Sequence, residues 1–353
     1  MSEHLDLPGY ETLSGLVERY SPTGGELAAV QWLVLHMRDL GFAEAHIDGA
    51  GNAVGVMGSG PRQGLLLGHI DTVRGEIPLR MEAEAFFGRG AVDAKGPLAA
   101  FVDAVAEVGP ADGWQWIVVG AVDEEGDSRG ARFLLDRYRP AFVIVGEPSR
   151  WDRVTIGYKG SAWSKITIHR PMAHSASPQA SACEQAVVYW LAVQAWAAEF
   201  NRERPRAFDQ VTPSLRGWSS GDDGFQCWAT LHLGARLPPG LAPEDWQATL
   251  RALDQGVQLE ADGFATPAYR GEKNSPLMRA FLGAIRQVGG DPSFLIKTGT
   301  ADLNLVAPAW SCPAVAYGPG DSSLDHTPHE HILLPEYARA RQVLASVLRK
   351  FAK

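Results

Sequence analysis

The chain has 353 residues, 45% of them hydrophobic and 21% charged, with 32 Lys+Arg against 41 Asp+Glu and a formal charge of −9. That length suits two domains, each with its own core, and the composition is that of an ordinary soluble globular protein. The acidic balance speaks against a nucleic-acid partner, which needs a basic footprint, and against docking on an anionic membrane; no apolar run reaches the roughly 18–20 residues of a membrane span.

The N-terminus, MSEHLDLPGYETL, has neither a basic n-region nor an apolar h-region, so no signal peptide is expected and a cytoplasmic location is. Cys183, Cys227 and Cys312 are odd in number and far apart, which predicts reduced, mostly buried thiols. In chain order, helices are predicted over 10–20 and 25–40, divided by the turn Ser21-Pro22-Thr23-Gly24. The apolar run 64–70 (GLLLGHI) reads as a buried strand. A helix at 95–108, a strand at 116–122, a helix at 129–138 and an apolar segment at 141–145 follow. This alternation implies a mostly parallel sheet with covered faces.

The pattern changes near Thr155. Alternation at 161–169 and 226–236 suits a sheet with one solvated face, with helices at 179–200 and 243–255. Strand, helix, strands, helix, strand describes a split-βαβ domain inserted into the first. The earlier pattern resumes with a helix at 276–288, a strand at 312–317 and a helix at 335–351. The expected fold class is α/β, with a mixed, mostly parallel sheet in a discontinuous domain of 1–155 and 271–353, interrupted by an α+β domain at 156–270.

The chemically informative residues follow the predicted strands, where α/β sheets place ligands. They are His69-Ile70-Asp71, the segment Gly90-Ala91-Val92-Asp93-Ala94-Lys95-Gly96, Asp123-Glu124-Glu125, Gly146-Glu147-Pro148, and Asp325-His326-Thr327-Pro328-His329-Glu330-His331. Imidazole with carboxylate and no thiolate is a ligand set for zinc, cobalt or manganese in a catalytic site. Alone, each piece is ordinary: a surface His–Asp pair, a solvated helix start, an Asp in a glycine turn. Together they form a constellation.

In the order HID, GAVDAKG, DEEGD, GEPS and a late HxxxE, the chain resembles the co-catalytic dinuclear zinc hydrolases that include aminoacylase, carboxypeptidase G, acetylornithine deacetylase and succinyl-diaminopimelate desuccinylase. The likeness spans essentially the whole chain. It implies a catalytic α/β domain, a ferredoxin-like lid used for dimerisation, and hydrolysis of an amide-type C–N bond with two divalent ions, zinc or cobalt.

The resemblance also implies roles. His69 and Glu147 would hold the first metal, Glu125 and His326 the second, and Asp93 would bridge both. Family spacing, in which the ligand precedes a Glu by about four residues, selects His326 over His329 and His331, because Glu330 fits. Asp71 would orient His69 and fix its tautomer, and Glu124 would be the general base. In the lid, His174 of MAHSASP resembles a histidine that reaches the other subunit's site and would donate to the developing oxyanion. Arg236 resembles the arginine that grips a substrate carboxylate. The asparagine the family often has some way before that arginine is missing, since the stretch reads Gly221-Asp222-Asp223.

Gly157-Tyr158-Lys159-Gly160 and Lys297-Thr298-Gly299-Thr300-Ala301-Asp302 are most similar to the branch that releases lysine or ornithine from a LysW-type amino-group carrier protein. That branch serves lysine biosynthesis through α-aminoadipate and, in some organisms, arginine biosynthesis. Lys297 and Gly299 are its expected substrate-binding residues. Lys297 and the basic run Asn201-Arg202-Glu203-Arg204-Pro205-Arg206 would contact an acidic carrier tail, although a solvated loop is the favoured explanation of that run. The rivals are an acetylornithine deacetylase, a general aminoacylase or dipeptidase, and, in another class, a non-catalytic metal- or carrier-binding module. Metal-free nucleophilic hydrolysis is disfavoured, because no GxSxG elbow appears. His4, His36, His46, His169 and His232 are expected in surface or packing roles.

Overall fold

The computed structural model describes residues 7–254 and 256–352, so His4 lies outside it. The described residues fall into two compact units: the chain up to Gly157 with Gly271–Ile296 and Ala301 onward, and Tyr158–Arg270 with Lys297–Thr300.

The first unit is built on a mixed sheet ordered Glu44–Ile47, Ala53–Met57, Trp114–Ala121, Arg62–His69, Phe142–Gly146, Ala314–Ala316 and Arg153–Tyr158. Arg62–His69 pairs in parallel with both Trp114–Ala121 and Phe142–Gly146, and Ala314–Ala316 runs parallel to the latter. Leu65, Leu66 and Leu67 are fully buried, as a continuous apolar run in a covered sheet requires. The helix Lys95–Val108 packs on this sheet with Leu98 and Phe101 fully buried.

Three glycines make that packing close. Gly68 lies level with Gly120 on one neighbouring strand and Gly146 on the other. A methyl group at Gly68 would sit 3.0 Å from Leu98 Cβ and 3.2 Å from its Cα, and one at Gly146 would sit 3.0 Å from Phe101 Cε2. At Gly120 the neighbours are Leu33 Cδ2 at 3.0 Å and Leu98 Cδ2 at 3.2 Å. The glycine row therefore lets the helix settle against the ends of three strands, which brings the loop before the helix to the same edge.

A small sheet of His331–Leu333, Ala85–Phe87 and Arg80–Glu82 pins the C-terminal segment to the loop at 88–93. The predicted helices at 276–288 and 335–351 are present as Pro276–Gln287 and Leu334–Phe351, the first with Ser275 as its N-cap. The predicted helix at 10–20 is shorter, Glu11–Val17, because the chain breaks toward Pro22.

The second unit has four antiparallel strands in the order Thr212–Asp222, Gln226–Leu237, Gly160–Pro171 and Gln258–Ala261. Its helices are Ala182–Asn201, started by a Ser181/Glu184 capping box, and Pro243–Leu253, with proline in the first turn. Their core holds Trp246, Tyr189, Leu231, Ile166 and Ile168. This connection is the ferredoxin-like one. The cysteines are free, but the expectation of mostly buried thiols is corrected: Cys183 is exposed, and Cys227 and Cys312 are only half-buried. No helix among the described residues is long and apolar enough to cross a membrane.

Candidate metal centre

The aligned parallel strands deliver their chemistry at one edge of the first unit. His69 ends its strand, Glu124 and Glu125 follow Trp114–Ala121, and Glu147 follows Phe142–Gly146. Asp93 comes from the loop before the helix Lys95–Val108, and His326 from the segment preceding His331–Leu333.

His69 Nε2 is 3.3 Å from Asp93 Oδ1. His326 Nε2 is 3.1 Å from Asp93 Oδ2 and 3.0 Å from Glu125 Oε1. Each Asp93 oxygen thus faces a different imidazole, and one donor atom each from His69, Asp93 and Glu125 lies within 4.8 Å of the others. Glu147 is 8% exposed; it stands outside that tight group, but its charge reaches Glu124. His331 is turned away from this group: its ring lies 4.6 Å from Phe87, and its Nδ1 donates to the His329 carbonyl at 2.8 Å.

The electrostatics follow from this geometry. Burial alone would raise Asp93, but hydrogen bonds from His326 and His69 hold it well below the usual carboxylate range. The Asp93 and Glu125 carboxylates push the His326 imidazole up to about 10. Burial opposes a charged His69, yet Asp71 and Asp93 raise it well above its ordinary value. Burial pushes Glu124 well up, against the pull of His69, and the charges of Asp302, Glu147 and Glu125 add to it. Asp302, raised to about 6 by burial, opens the helix Leu303–Trp310 and keeps Oδ1 without a partner among the described residues.

Two imidazoles facing several carboxylates carry protons when no other cation is present, and a divalent ion supplies the same charge. Nitrogen and oxygen donors without thiolate match zinc, cobalt or manganese. The donor set therefore fits the metal expectation.

Two buried carboxylates hold the ligand-bearing loops from behind. Asp71 is fully buried; its Oδ1 accepts the Glu124 N–H at 3.0 Å, and its Oδ2 accepts the Glu125 N–H at 3.1 Å and the Thr23 hydroxyl at 2.9 Å. His69 Nδ1 donates to the main-chain carbonyl of Asp71 at 2.9 Å, while Asp71 Oδ1 is 3.6 Å away. The His69 tautomer is thus held mainly by the backbone of Asp71, and the carboxylate serves the Glu124–Glu125 turn, a task its place in HID did not suggest. Glu330 is fully buried as well: Oε1 accepts the Val92 N–H at 2.9 Å and the Asp93 N–H at 3.0 Å, and Oε2 accepts from Arg89 at 2.8 Å. Sequence spacing used Glu330 only to identify His326; its hydrogen bonds emerge from a register that joins segments far apart in the chain. Asn52, fully buried, accepts from Val122 and donates to the Gly130 carbonyl, bracketing the Glu124 loop. Asp123, Ser128 and His326 have left-handed backbones, with φ of 66°, 50° and 61°. Non-glycine residues adopt that conformation where surrounding structure imposes it.

The second unit carries the remaining candidates. Arg236 Nη1 donates to Thr300 Oγ1 at 2.7 Å, and Thr300 donates to the Lys159 carbonyl at 2.9 Å. Lys159 is fully buried, its Nζ donating to Thr212 Oγ1 at 2.9 Å, and burial lowers it to about 8. Lys297 ends the strand Ser293–Lys297, and Gly299 follows in an open bend, where an added Cβ would meet nothing within 4 Å. His174 lies in an exposed loop, where its Nδ1 accepts the Ala176 N–H at 3.1 Å, leaving the proton on Nε2. Gly221 and Asp222 end an exposed edge strand, where the family asparagine is missing. In the basic run, Arg202 pairs with Glu199, and Arg206 pairs with Asp209 at 2.7 Å. His36 Nε2 is 2.8 Å from the Thr12 hydroxyl, and His232 Nδ1 is 3.2 Å from Asp262.

Residues 65–350 match the family described as peptidase family M20/M25/M40. Over 344 residues the chain is 44% identical to a LysW-lysine hydrolase of Deinococcus radiodurans, with 94% of this chain and 93% of that protein covered. It is 28% identical over 329 residues to a LysW-lysine/LysW-ornithine hydrolase of Saccharolobus solfataricus, covering 92% of this chain and 91% of that one. Among solved structures, an M20 family metallo-carboxypeptidase from Sulfolobus solfataricus superposes with a TM-score of 0.80 at 17% identity, covering 99% of this chain and 100% of the other. The aminopeptidase PepT from Bacillus cereus gives a TM-score of 0.76 at 19% identity, covering 98% and 99%. With imidazoles and carboxylates gathered at the strand ends and the family match spanning most of its length, the chain belongs to peptidase family M20/M25/M40, a family of metal-dependent hydrolases of amide bonds.

Proposed function

We propose that the protein hydrolyses the amide joining lysine or ornithine, through its α-amino group, to the side chain of the C-terminal glutamate of a LysW-type carrier protein. The observation that carries this reading is the 44% identity to a LysW-lysine hydrolase along 94% of the chain. The reaction belongs to lysine biosynthesis through α-aminoadipate and, with ornithine, to arginine biosynthesis, in the cytoplasm.

The first unit is the catalytic domain, and the second the lid and dimerisation domain. Two divalent ions, zinc in the first instance and cobalt as the alternative, would be held by His69, Glu147, Glu125, His326 and the shared ligand Asp93. Such ions supply Lewis acidity, lowering the pKa of a water and polarising the amide carbonyl. Glu124, which ligates nothing in this scheme and whose carboxyl burial pushes up, takes the proton of the attacking water as its oxygen bonds to the carbonyl carbon. As the C–N bond breaks, Glu124 passes that proton to the leaving amine, the second water proton ionises from the new carboxyl group to the free amine, and the products are a glutamate carboxylate and lysine or ornithine as the ammonium form. His174, whose Nδ1 accepts the Ala176 amide, has Nε2 left to donate to the developing oxyanion. Arg236 offers its fork to a substrate carboxylate, and Lys297 and Gly299 border the same binding region.

The second unit supports association as a homodimer. Val187, Val188 and Leu191 are exposed on the helix Ala182–Asn201, and Trp218 is exposed on the edge strand Thr212–Asp222. Mixing His174→Ala and Glu124→Gln subunits tests whether His174 works across the dimer; restored activity requires crossed sites.

The deciding experiment is amine release by the zinc- or cobalt-loaded enzyme from two substrates side by side. One is the carrier protein bearing γ-glutamyl-lysine or γ-glutamyl-ornithine, and the other is N-acetylornithine. Preference for the carrier supports the proposal. Preference for N-acetylornithine, or no cleavage of either, overturns it.

A further inference from the structure

We propose that Glu330, held by Arg89, is a positioning residue that fixes the Asp93 carboxylate and thereby sets metal affinity. The inference rests on the reading of Asp93 as the ligand shared by two ions.

The geometry is specific to one turn of backbone. A single oxygen of Glu330, Oε1, accepts the consecutive amides of Val92 and Asp93, at 2.9 and 3.0 Å. Consecutive amides converging on one oxygen form an anion-binding concavity. The other oxygen is taken by Arg89 Nη1 at 2.8 Å, and Arg89 Nε donates to the Gly75 carbonyl at 2.8 Å. Glu330 is 0% exposed and Arg89 6%, so solvent does not replace either contact. The pairing of His331 with Phe87 keeps Glu330 under the loop.

The consequence concerns both ligands at once. Asp93 presents one oxygen toward His69 and the other toward His326, so rotating its backbone moves both contacts in opposite senses. Glu330 opposes that rotation by holding the Asp93 amide itself. It also follows His326 closely in sequence, so one short segment supplies an imidazole and anchors the carboxylate that imidazole faces. Removing such an anchor behind a metal ligand typically costs about 10–100-fold in metal affinity.

The test compares Glu330→Gln with Asp103→Asn in the full chain, by titrating zinc into metal-free protein against a competing chelator. The Glu330→Gln carboxamide has one oxygen and one NH2 group, so it cannot accept on both sides: the NH2 faces either the Val92 and Asp93 amides or Arg89, and in both flips the anchor is broken. Asp103→Asn is the structural control: Asp103 is half-buried in the same unit, and its carboxylate accepts from Thr12 and from the Tyr337 hydroxyl at 2.6 Å rather than from a ligand-bearing loop. The expected result is a roughly 10–100-fold weaker zinc affinity in Glu330→Gln, measured well below the unfolding midpoint, with wild-type affinity in Asp103→Asn. Wild-type zinc affinity in Glu330→Gln, or an equal loss in both variants, overturns the proposal. If Glu330→Gln does not fold, Arg89→Lys gives the same two outcomes, because it keeps the buried positive charge while losing the fork. Asp93→Asn separates the underlying reading from the inference. If Asp93→Asn binds zinc as the wild type does, the shared-ligand reading fails; if only Asp93→Asn loses zinc, the positioning role alone fails.

Discussion

Asp71→Asn isolates what the buried carboxylate behind the site does. Oδ1 of Asp71 accepts the Glu124 amide at 3.0 Å and Oδ2 accepts the Glu125 amide at 3.1 Å. An asparagine has one oxygen and one NH2 group, so in either flip one of these amides faces a donor. A buried donor left unsatisfied costs about 1–3 kcal/mol. The loop relieves that cost by moving, and it carries Glu124 with it. If the displacement is expressed at the transition state, about 1–3 kcal/mol corresponds to roughly 5- to 150-fold in rate. The expected outcome at saturating metal is therefore a fall in kcat of about 10–100-fold with KM for substrate little changed, because Arg236 lies in the other unit. Thr23→Ala, which removes only the hydroxyl on Oδ2, should cost a few-fold, in line with about 1 kcal/mol for one hydrogen bond. Steady-state amine release across a zinc titration reads both variants. Wild-type kcat in Asp71→Asn would show that the carboxylate does not hold the catalytic turn.

Glu124→Gln should lower kcat by about 10²–10⁴-fold while zinc binding, followed calorimetrically, stays within a few-fold of wild type; lost zinc binding would instead make Glu124 a ligand. In metal-free protein, His326 is raised to about 10 from an ordinary 6.5, so its ion pair with Asp93 and Glu125 stabilises fully below about pH 6.5 and is lost as pH rises through about 10. The Tm advantage of chelator-treated wild type over His326→Gln should therefore shrink across that window, and a difference independent of pH would contradict the pairing. Arg236→Lys should raise KM about tenfold or more with kcat within a few-fold, since a point charge replaces a bidentate fork; an unchanged KM would remove Arg236 from substrate binding.

Much of the first unit was legible because its signals are local. The run at 64–70 is Leu-rich between turn residues, and the helix at 95–108 begins and ends where its periodicity does. Elements escaped where the chain gives weak local signals. Thr212–Asp222 is rich in serine, glycine and proline and mostly exposed, so no alternation marks it as a strand. Leu303–Trp310 is short and contains Pro308. Ala53–Met57 is a brief apolar stretch around a glycine, readable as turn or strand. Chemistry restricts the candidate ligands to imidazole and carboxylate, and it was the resemblance of their motif order to a known family that named them individually. The residues that hold them, Glu330 with Arg89 and Asp71 with Thr23, are joined only by long-range register, and a hydrogen bond to a backbone amide leaves no mark in the sequence.

The glycine row under the helix Lys95–Val108 has a consequence for how such a protein tolerates change. The separation between His69, on the sheet, and Asp93, ahead of the helix, depends on how closely the helix backbone at Leu98 approaches Gly68, with the Leu98 and Phe101 side chains packed over Gly120 and Gly146. A single added methyl at Gly68 would press on Leu98 Cα and Cβ, lift the helix by tenths of an ångström and widen the gap an ion must span. An added Cβ at Gly299, by contrast, would meet nothing within 4 Å. The reactive centre is held by backbone spacing, and specificity is left free to diverge around it.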